Sequence, residues 1–534
     1  MVDLLILHAK IINGTGNPWY YGNVAVKDGR FVAVGSFDPP QAKKVIDAKG
    51  AMLCPGFIDV HTHNDILLTY DPSCLSKLQQ GVTTQIVGNC GFSAAPLCDA
   101  TKHLLQSYAE PSLGEWANEG NWHTFGEYLD RIERLPLAGN VGSLVGSGTV
   151  RVAVKGFKKT AMSKSEMQEV KKYIAEALES GAMGFSMGLT YTPDNFYTNN
   201  ELLEISELLA KYKTVMAVHM RGEGDSLLRS VNEMITIAEK TGVSVEISHF
   251  KAAGKNNWNS NIYRAMELID DARSRGLQIT CDVYPYTACF SEFPYLMPPW
   301  ALEGGIEEAI KRVQTPEIRA KIREEMESRQ ELWDSMIYST GWENVRIATT
   351  VNPEHKELEG RTIAEIAAER GMEATECGLD LFCENNGKLG FIFDFLCEED
   401  IKSILKWNNS FVASDSTYVN NGLCHPRMFG TNIRILTKYA RDEKILSLEQ
   451  AIRKMTSFPA EKFSIKGKGL ILKGYDSDFV IFNLEKLKDN ATYENPKRSP
   501  DGIGYVFVAG EMAVCNGKYT GSHSGKLLRK KNNV

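Results

Sequence analysis

A (β/α)8 barrel of the TIM type is the fold this sequence predicts, with a small β-sandwich domain built from both chain termini and an insertion after the seventh barrel strand. Three observations predict it. Both ends of the chain are runs of short strand signals broken by glycine. The middle alternates apolar strand signals with amphipathic helix patterns, and polar residues recur where those strands end, which is where such a barrel gathers its chemistry.

The N-terminal strands fall at residues 4–12 and 23–34, with Asp28-Gly29 marking a tight hairpin. The C-terminal strands fall at 470–472, 479–482 and 505–508. Together, residues 1–57 and 467–534 are expected to form the small β-domain, leaving 58–466 for the barrel.

Inside the barrel region, Met167, Val170, Ile174, Ala177 and Leu178 form one helical stripe, closed by Gly181. Leu227, Val231, Met234 and Ala238 form a second, and Ile262, Ala265, Met266, Ile269 and Ala272 a third. Each is followed by an apolar strand. Eight strands are expected, ending near His61, Cys90, Gly146, Met187, His219, His249, Tyr284 and Asp415. The gap of about 130 residues between the last two is too long for one strand–helix unit and must hold an insertion. The start of that gap is rich in aromatic residues and prolines, from Phe290 to Trp300, and residues 306–333 look helical. A lid at about 288–345 is expected, because a loop leaving a strand's C-terminal end starts at the rim of the site.

At 534 residues the chain can bury more than one core, and 43% hydrophobic with 24% charged residues is the balance of an ordinary soluble enzyme. A net charge of −7 argues against nucleic acid as a partner. The one basic cluster, Lys526, Arg529, Lys530 and Lys531, reads as a solvated terminus. Asp3 stands where a secretory leader wants positive charge, and no window is apolar enough for a membrane span. Eleven cysteines without regular spacing read as thiols of a reducing compartment, so a cytoplasmic protein acting on a small molecule is expected.

The chemistry is written in the strand ends. In Phe57-Ile58-Asp59-Val60-His61-Thr62-His63 the two histidines stand i, i+2, which on a strand puts both imidazoles on one face. His219 closes the run at 214–218, His249 the run at 243–248, and Asp415 the run at 410–414. Cys90 follows the strand beside that of His61 and His63, and a thiolate there supplies negative charge that neutral imidazoles lack. Four histidines, a cysteine and Asp415 suffice for one site with an open position, or for two ions sharing a bridging ligand. Thiolate and imidazole donors favour zinc over magnesium or calcium. Asp415 is a ligand, a proton shuttle or a structural carboxylate; facing an activated water, the shuttle role needs only hydrogen-bond reach.

These residues resemble the amidohydrolase superfamily. Within it, Gly88-Asn89-Cys90-Gly91-Phe92-Ser93-Ala94-Ala95-Pro96, Ser248-His249-Phe250-Lys251, Asp282-Val283-Tyr284-Pro285-Tyr286 and His425-Pro426-Arg427-Met428-Phe429-Gly430-Thr431 resemble the D-aminoacylases, or N-acyl-D-amino-acid deacylases, over nearly the whole chain. The resemblance implies zinc-dependent hydrolysis of an N-acyl-D-amino acid to a carboxylate and the free D-amino acid. It implies that Cys90, His219 and His249 hold a tightly bound zinc, that His61 and His63 belong to a second, weaker position, and that Asp415 is the catalytic acid/base. The fourth strand offers no lysine for a carbamate bridge, and Cys90 is available instead. Lys251 and Tyr284 are candidates to bind the substrate carboxylate, and Tyr191 a candidate for the pocket wall. Arg427 either binds an anion or pairs with a structural carboxylate. Handedness and acyl specificity come from the resemblance alone. Cyclic-amide opening of the dihydroorotase or hydantoinase kind is the nearest rival, counted against by the missing lysine. An inert scaffold would have lost ligands that this chain keeps.

Overall fold

The computed structural model describes residues 1–116 and 120–531; the last three residues of the expected β-domain, 532–534, lie outside the described residues. Eight parallel strands run in sequence around a barrel: Phe57–Asp59, Val82–Val87, Asn140–Gly146, Gly184–Gly188, Val215–His219, Ser244–Ile247, Ile279–Val283 and Ser410–Val412. Almost every residue in them is buried, as expected of parallel strands covered on both faces. The helices between them follow their sequence signals. The helix Lys164–Ser180 begins in a capping box between Ser163 and Glu166, ends at left-handed Gly181, and buries Met167, Val170, Ile174, Ala177 and Leu178.

The last strand meets the first just beyond their ends. Thr62 bridges Ser416 in parallel, Asp415 N–H donates to His61 O at 2.9 Å, and His63 N–H donates to Ser416 O at 2.9 Å. Beneath this seam the buried Lys77 ammonium donates to Asp59 at 2.7 Å, Ser414 Oγ at 2.7 Å and Ser416 Oγ at 2.6 Å. Breaking a buried ion pair from one side costs roughly 3–5 kcal/mol. The seam that places His61, His63 and Asp415 is therefore fixed from below.

Strands from both ends of the chain form one nine-stranded sheet, in which Met52–Pro55 pairs with Phe479–Phe482 and leads directly into the first barrel strand. Ile6, Val24, Phe31, Leu53, Phe479 and Phe507 are part of its apolar interior. Between the seventh and eighth barrel strands lies a three-stranded antiparallel sheet of Ala288–Glu292, Gly390–Asp394 and Val345–Thr349, with helices that include Ile306–Val313 and Pro316–Met326.

The basic tail departs from its expected role as a solvated terminus. Leu528 N–H donates to Val141 O at 2.7 Å, Lys530 N–H donates to Gly181 O at 3.0 Å, and Arg529 pairs with Asp130 at 2.6 Å and Glu133 at 2.9 Å. It straps the N-terminal end of the barrel. Its carboxylate partners stand some four hundred residues earlier, beyond the reach of a local charge pattern.

Candidate metal centre and substrate cavity

The six polar residues at the strand ends converge. Single ligand atoms of His61, His63, Cys90 and Asp415 all lie within 4.8 Å of one another, as do those of Cys90, His219 and His249, so Cys90 belongs to both groups. Its Sγ stands 3.2 Å from His61 Nε2 and 3.4 Å from His249 Nε2. Asp415 Oδ1 lies 3.2 Å from His63 Nε2 and 3.3 Å from His61 Nε2.

Backbone conformation aims these side chains. Cys90, His249 and Asp415 have φ of 53°, 38° and 50°, the left-handed region that costs a non-glycine residue roughly 1–3 kcal/mol and concentrates at functional sites. The turn carrying Cys90 is pinned by Asn89, whose Nδ2 donates to Ile86 O at 3.1 Å and Val60 O at 3.3 Å. Gly188 lets the fourth strand pass: a Cβ there would sit 2.1 Å from Cys90 O.

Two carboxylates that sequence reasoning missed orient the imidazoles. Asp282, on the seventh strand, stands 3.0 Å from His61 Nδ1 and accepts the His249 N–H at 2.8 Å. Glu223, four residues after His219, lies 3.0 Å from His249 Nδ1 and 2.7 Å from Lys251 Nζ. Each holds a ring so that its Nε2 faces the thiolate, the arrangement that fixes a ligating tautomer. Asp282 lies inside the Asp-Val-Tyr-Pro-Tyr motif, which is a usable signal. Nothing in the sequence around Glu223 marks it.

The electrostatics fit a divalent cation. Burial disfavours the Cys90 thiolate, yet His61 and His249 outweigh it and hold the thiol's pKa well below its ordinary value. Burial likewise lowers the pKa of His61, and Cys90, Asp282 and Asp415 raise it well above the histidine range. His249, pulled down by burial and Lys251 and up by Glu223 and Cys90, reaches about 9. The cluster thus draws positive charge, which protons or a cation can supply. Buried His219 has neither ring nitrogen hydrogen-bonded, although Nε2 lies 3.3 Å from Glu223 Oε2. Unsatisfied imidazoles around a thiolate are the donor set of a metal site, and this cluster can hold one.

The expected substrate contacts line the same cavity, which opens between the barrel mouth and the segment after the seventh strand. Lys251 is buried rather than solvated. The buried Tyr284 hydroxyl has no hydrogen-bond partner among the described residues. Tyr191 packs edge-on against His219, with ring centroids 4.8 Å apart. Arg427 lies over the Tyr284 ring at 4.8 Å and pairs with Asp415 Oδ2 at 2.8 Å. Burial favours the neutral form of Asp415, but Arg427 and His61 hold its pKa well below the carboxylate range. His425 sets the arginine: its Nδ1 accepts the Arg427 N–H at 3.0 Å and its Nε2 stands 3.0 Å from Ala288 O.

A profile described as the amidohydrolase family matches residues 44–514. The chain belongs to that family. It is 30% identical over 529 residues to the D-aminoacylase of Alcaligenes xylosoxydans xylosoxydans, covering 98% of this chain and 97% of the relative. It is 31% identical to the N-acyl-D-aspartate deacylase of the same organism, covering 98% and 95%. Among solved structures, the N-acyl-D-glutamate deacylase of Bordetella bronchiseptica, complexed with zinc and a phosphonate mimic of the tetrahedral intermediate, superposes with a TM-score of 0.84 at 28% identity, covering 99% of this chain and 100% of that one. The L-hydantoinase of Arthrobacter aurescens shares the fold at 15% identity and a TM-score of 0.58. As an amidohydrolase, the chain keeps histidines at its first, fifth and sixth strand ends and has no lysine on the fourth strand, where Gly184–Gly188 passes directly behind Cys90.

Proposed function

We propose that this amidohydrolase is a zinc-dependent deacylase that cleaves the amide of N-acyl-D-amino acids, releasing a carboxylate and the free D-amino acid. The observation that carries the reading is the Cys90 thiolate set among His61, His219 and His249, with Asp415 within 3.3 Å of His61. Cys90, His219 and His249 would hold the zinc tightly, and His61 and His63 a second, weaker position. When bound, zinc supplies Lewis-acid activation of water and of the scissile carbonyl.

The chain's own residues do the rest. Asp415 accepts a proton from the attacking water at a carboxylate oxygen and returns it to the departing amine nitrogen, so that the amino acid leaves as a neutral amine rather than as an RNH⁻ anion. Lys251, Tyr284 and Arg427 receive the substrate α-carboxylate, and the unsatisfied Tyr284 hydroxyl supports that role. An α-carboxylate on Arg427 shares the guanidinium with Asp415 and loosens its hold. The basicity of Asp415 then rises when substrate is bound. Glu223 and Asp282 keep the imidazoles oriented, and Tyr191 walls the pocket beside His219. The D hand is supported by the relatives, a D-aminoacylase and an N-acyl-D-aspartate deacylase.

The test is a panel of N-acetyl-D-amino acids, their L-enantiomers and simple hydantoins, offered to zinc-loaded protein. Release of acetate and free amino acid from the D-compounds alone is expected. Turnover of hydantoins alone would replace this reading with the cyclic-amide one.

A further inference from the structure

We infer that the substrate cavity continues beyond Tyr191 and Tyr295 into a passage for the acyl group, so that this deacylase takes N-acyl-D-amino acids whose acyl group is a long aliphatic chain. The inference rests on the deacylase reading and deepens it, from the bond cleaved to the acyl group carried.

The direction in which the substrate lies is the first step. The two ligand groups share Cys90 alone, with Asp415 in one and His219 in the other. Arg427 pairs with Asp415 at 2.8 Å and Tyr191 packs on His219 at 4.8 Å, so Cys90 stands between an Asp415 end and a His219 end. A departing nitrogen protonated by Asp415 and an α-carboxylate on Arg427 put the amino-acid half at the Asp415 end. Across the scissile carbonyl, the acyl substituent then points toward His219, Tyr191 and Tyr295, whose ring lies 6.4 Å from that of His219.

That end is not closed. Tyr108, Tyr191, Pro294 and Tyr295 line the substrate cavity and also a second space behind it. Thr190, Asn195, Pro299 and Trp333 line this second space and also an outer groove between the loop after the fourth barrel strand and the insertion. The three spaces follow one another from the ligand cluster outward, and the Tyr191 and Tyr295 rings, 5.8 Å apart, mark the first junction.

The lining selects the chemistry of the occupant. Polar groups of the passage are used on one another: Asn195 Nδ2 donates to Thr192 Oγ1 at 3.1 Å and to Thr190 O at 3.4 Å. In the groove, Arg221 is paired with Glu233 at 2.9 Å and Arg329 with Asp225 at 3.0 Å. Around them stand Leu189, Phe196, Pro299, Trp300, Leu332 and Trp333, and Leu332 is left 88% exposed. Polar groups already satisfied offer little to a peptide or a sugar, whereas each methylene laid on apolar surface is worth about fourfold in affinity.

The experiment compares kcat/KM of the zinc-loaded, full-length enzyme on N-octanoyl-D-alanine, N-acetyl-D-alanine and N-acetyl-D-phenylalanine. The octanoyl compound is expected to exceed its acetyl counterpart at least about tenfold. Thr190→Trp puts an indole where the second space meets the groove. It is expected to lower the octanoyl-to-acetyl ratio on D-alanine at least about tenfold, while the phenylalanine-to-alanine ratio of the acetyl compounds stays within about twofold. Trp333→Ala removes apolar wall at the same junction and is expected to lower the octanoyl-to-acetyl ratio at least about threefold. Octanoyl and acetyl compounds turned over equally would overturn the inference and leave the deacylase reading intact. So would an octanoyl-to-acetyl ratio unmoved in both variants, or a loss in Thr190→Trp that falls on the phenylalanine compound instead, which would give the passage to the amino-acid side chain. Failure to cleave any of the three would overturn the deacylase reading and this inference with it.

Discussion

On the barrel side of the cavity the reactive side chains leave strand ends whose backbones are tied to both neighbours, whereas on the far side the segment between the seventh and eighth strands presents Phe290, Glu292 and Tyr295 from a strand edge and the turn after it. The first side is charged, crosslinked and bent: Cys90, His249 and Asp415 all hold positive φ, Cys90 stands between His61 and His249, and Arg427 pairs with Asp415. Phe290, Glu292 and Tyr295 hold no positive φ, and Phe290 and Tyr295 present aromatic surface to the cavity. The difference separates labour. Strain and hydrogen bonding on the barrel rim fix the geometry of a reaction, while the opposite wall is free to set which molecule undergoes it.

If that division is right, the largest losses come from the rim. Cys90→Ala removes the one group shared by both ligand clusters and the negative charge at their centre. Bound zinc and activity are expected to fall together, to near background, measured by metal analysis beside turnover. Stoichiometric zinc with normal turnover would dissolve the contrast at its strongest point. Next comes Asp415→Asn, which keeps the volume but cannot accept a proton. Retained zinc with a loss of about 10²–10⁴ in kcat is expected. An unaffected rate would move the acid/base elsewhere.

A step further out, Glu223→Gln leaves every ligand in place and weakens the carboxylate that stands behind His249 and Lys251 and beside His219. Groups in this position typically contribute about 10–100-fold in metal affinity. Competition with a zinc chelator should find a shift of that order, and no shift would reduce Glu223 to a partner of Lys251 alone.

How much of this was legible beforehand follows from where each residue's information lies. His61, His63, Cys90, His219, His249 and Asp415 each terminate an apolar run, so the chain itself marks them as strand exits. Asp282 sits inside a strand buried on both faces, where no alternation separates the barrel interior from the helical layer. Glu223 and Lys77 gain their roles only from partners that folding brings to them, and Arg529 meets Asp130 and Glu133 across almost the whole chain. The insertion was visible as excess length, but its sheet was not, because five-residue strands such as Val345–Thr349 and Gly390–Asp394 carry too little pattern to stand out. The aromatic run after the seventh strand divides in space as it could not in sequence: Phe293 stacks on Trp342 and Phe382, at 6.1 and 5.3 Å, while Phe290 and Tyr295 face the cavity.

That last split gives the mildest expectation and the finest test of the two-sided cavity. Phe290 is buried against the insertion sheet, pairing there with Ile392, and also lines the substrate space. Phe290→Leu trims aromatic surface from the wall without touching any hydrogen bond of the rim, and a loss of a few methylene equivalents is worth roughly 1–2 kcal/mol of binding. KM for N-acetyl-D-phenylalanine is expected to rise by about 5–30-fold, with a smaller effect on kcat and unchanged zinc content. The opposite pattern, a fall in kcat at constant KM, would mean that the wall takes part in forming the transition state, and the separation between a rim that reacts and a wall that selects would have to be redrawn.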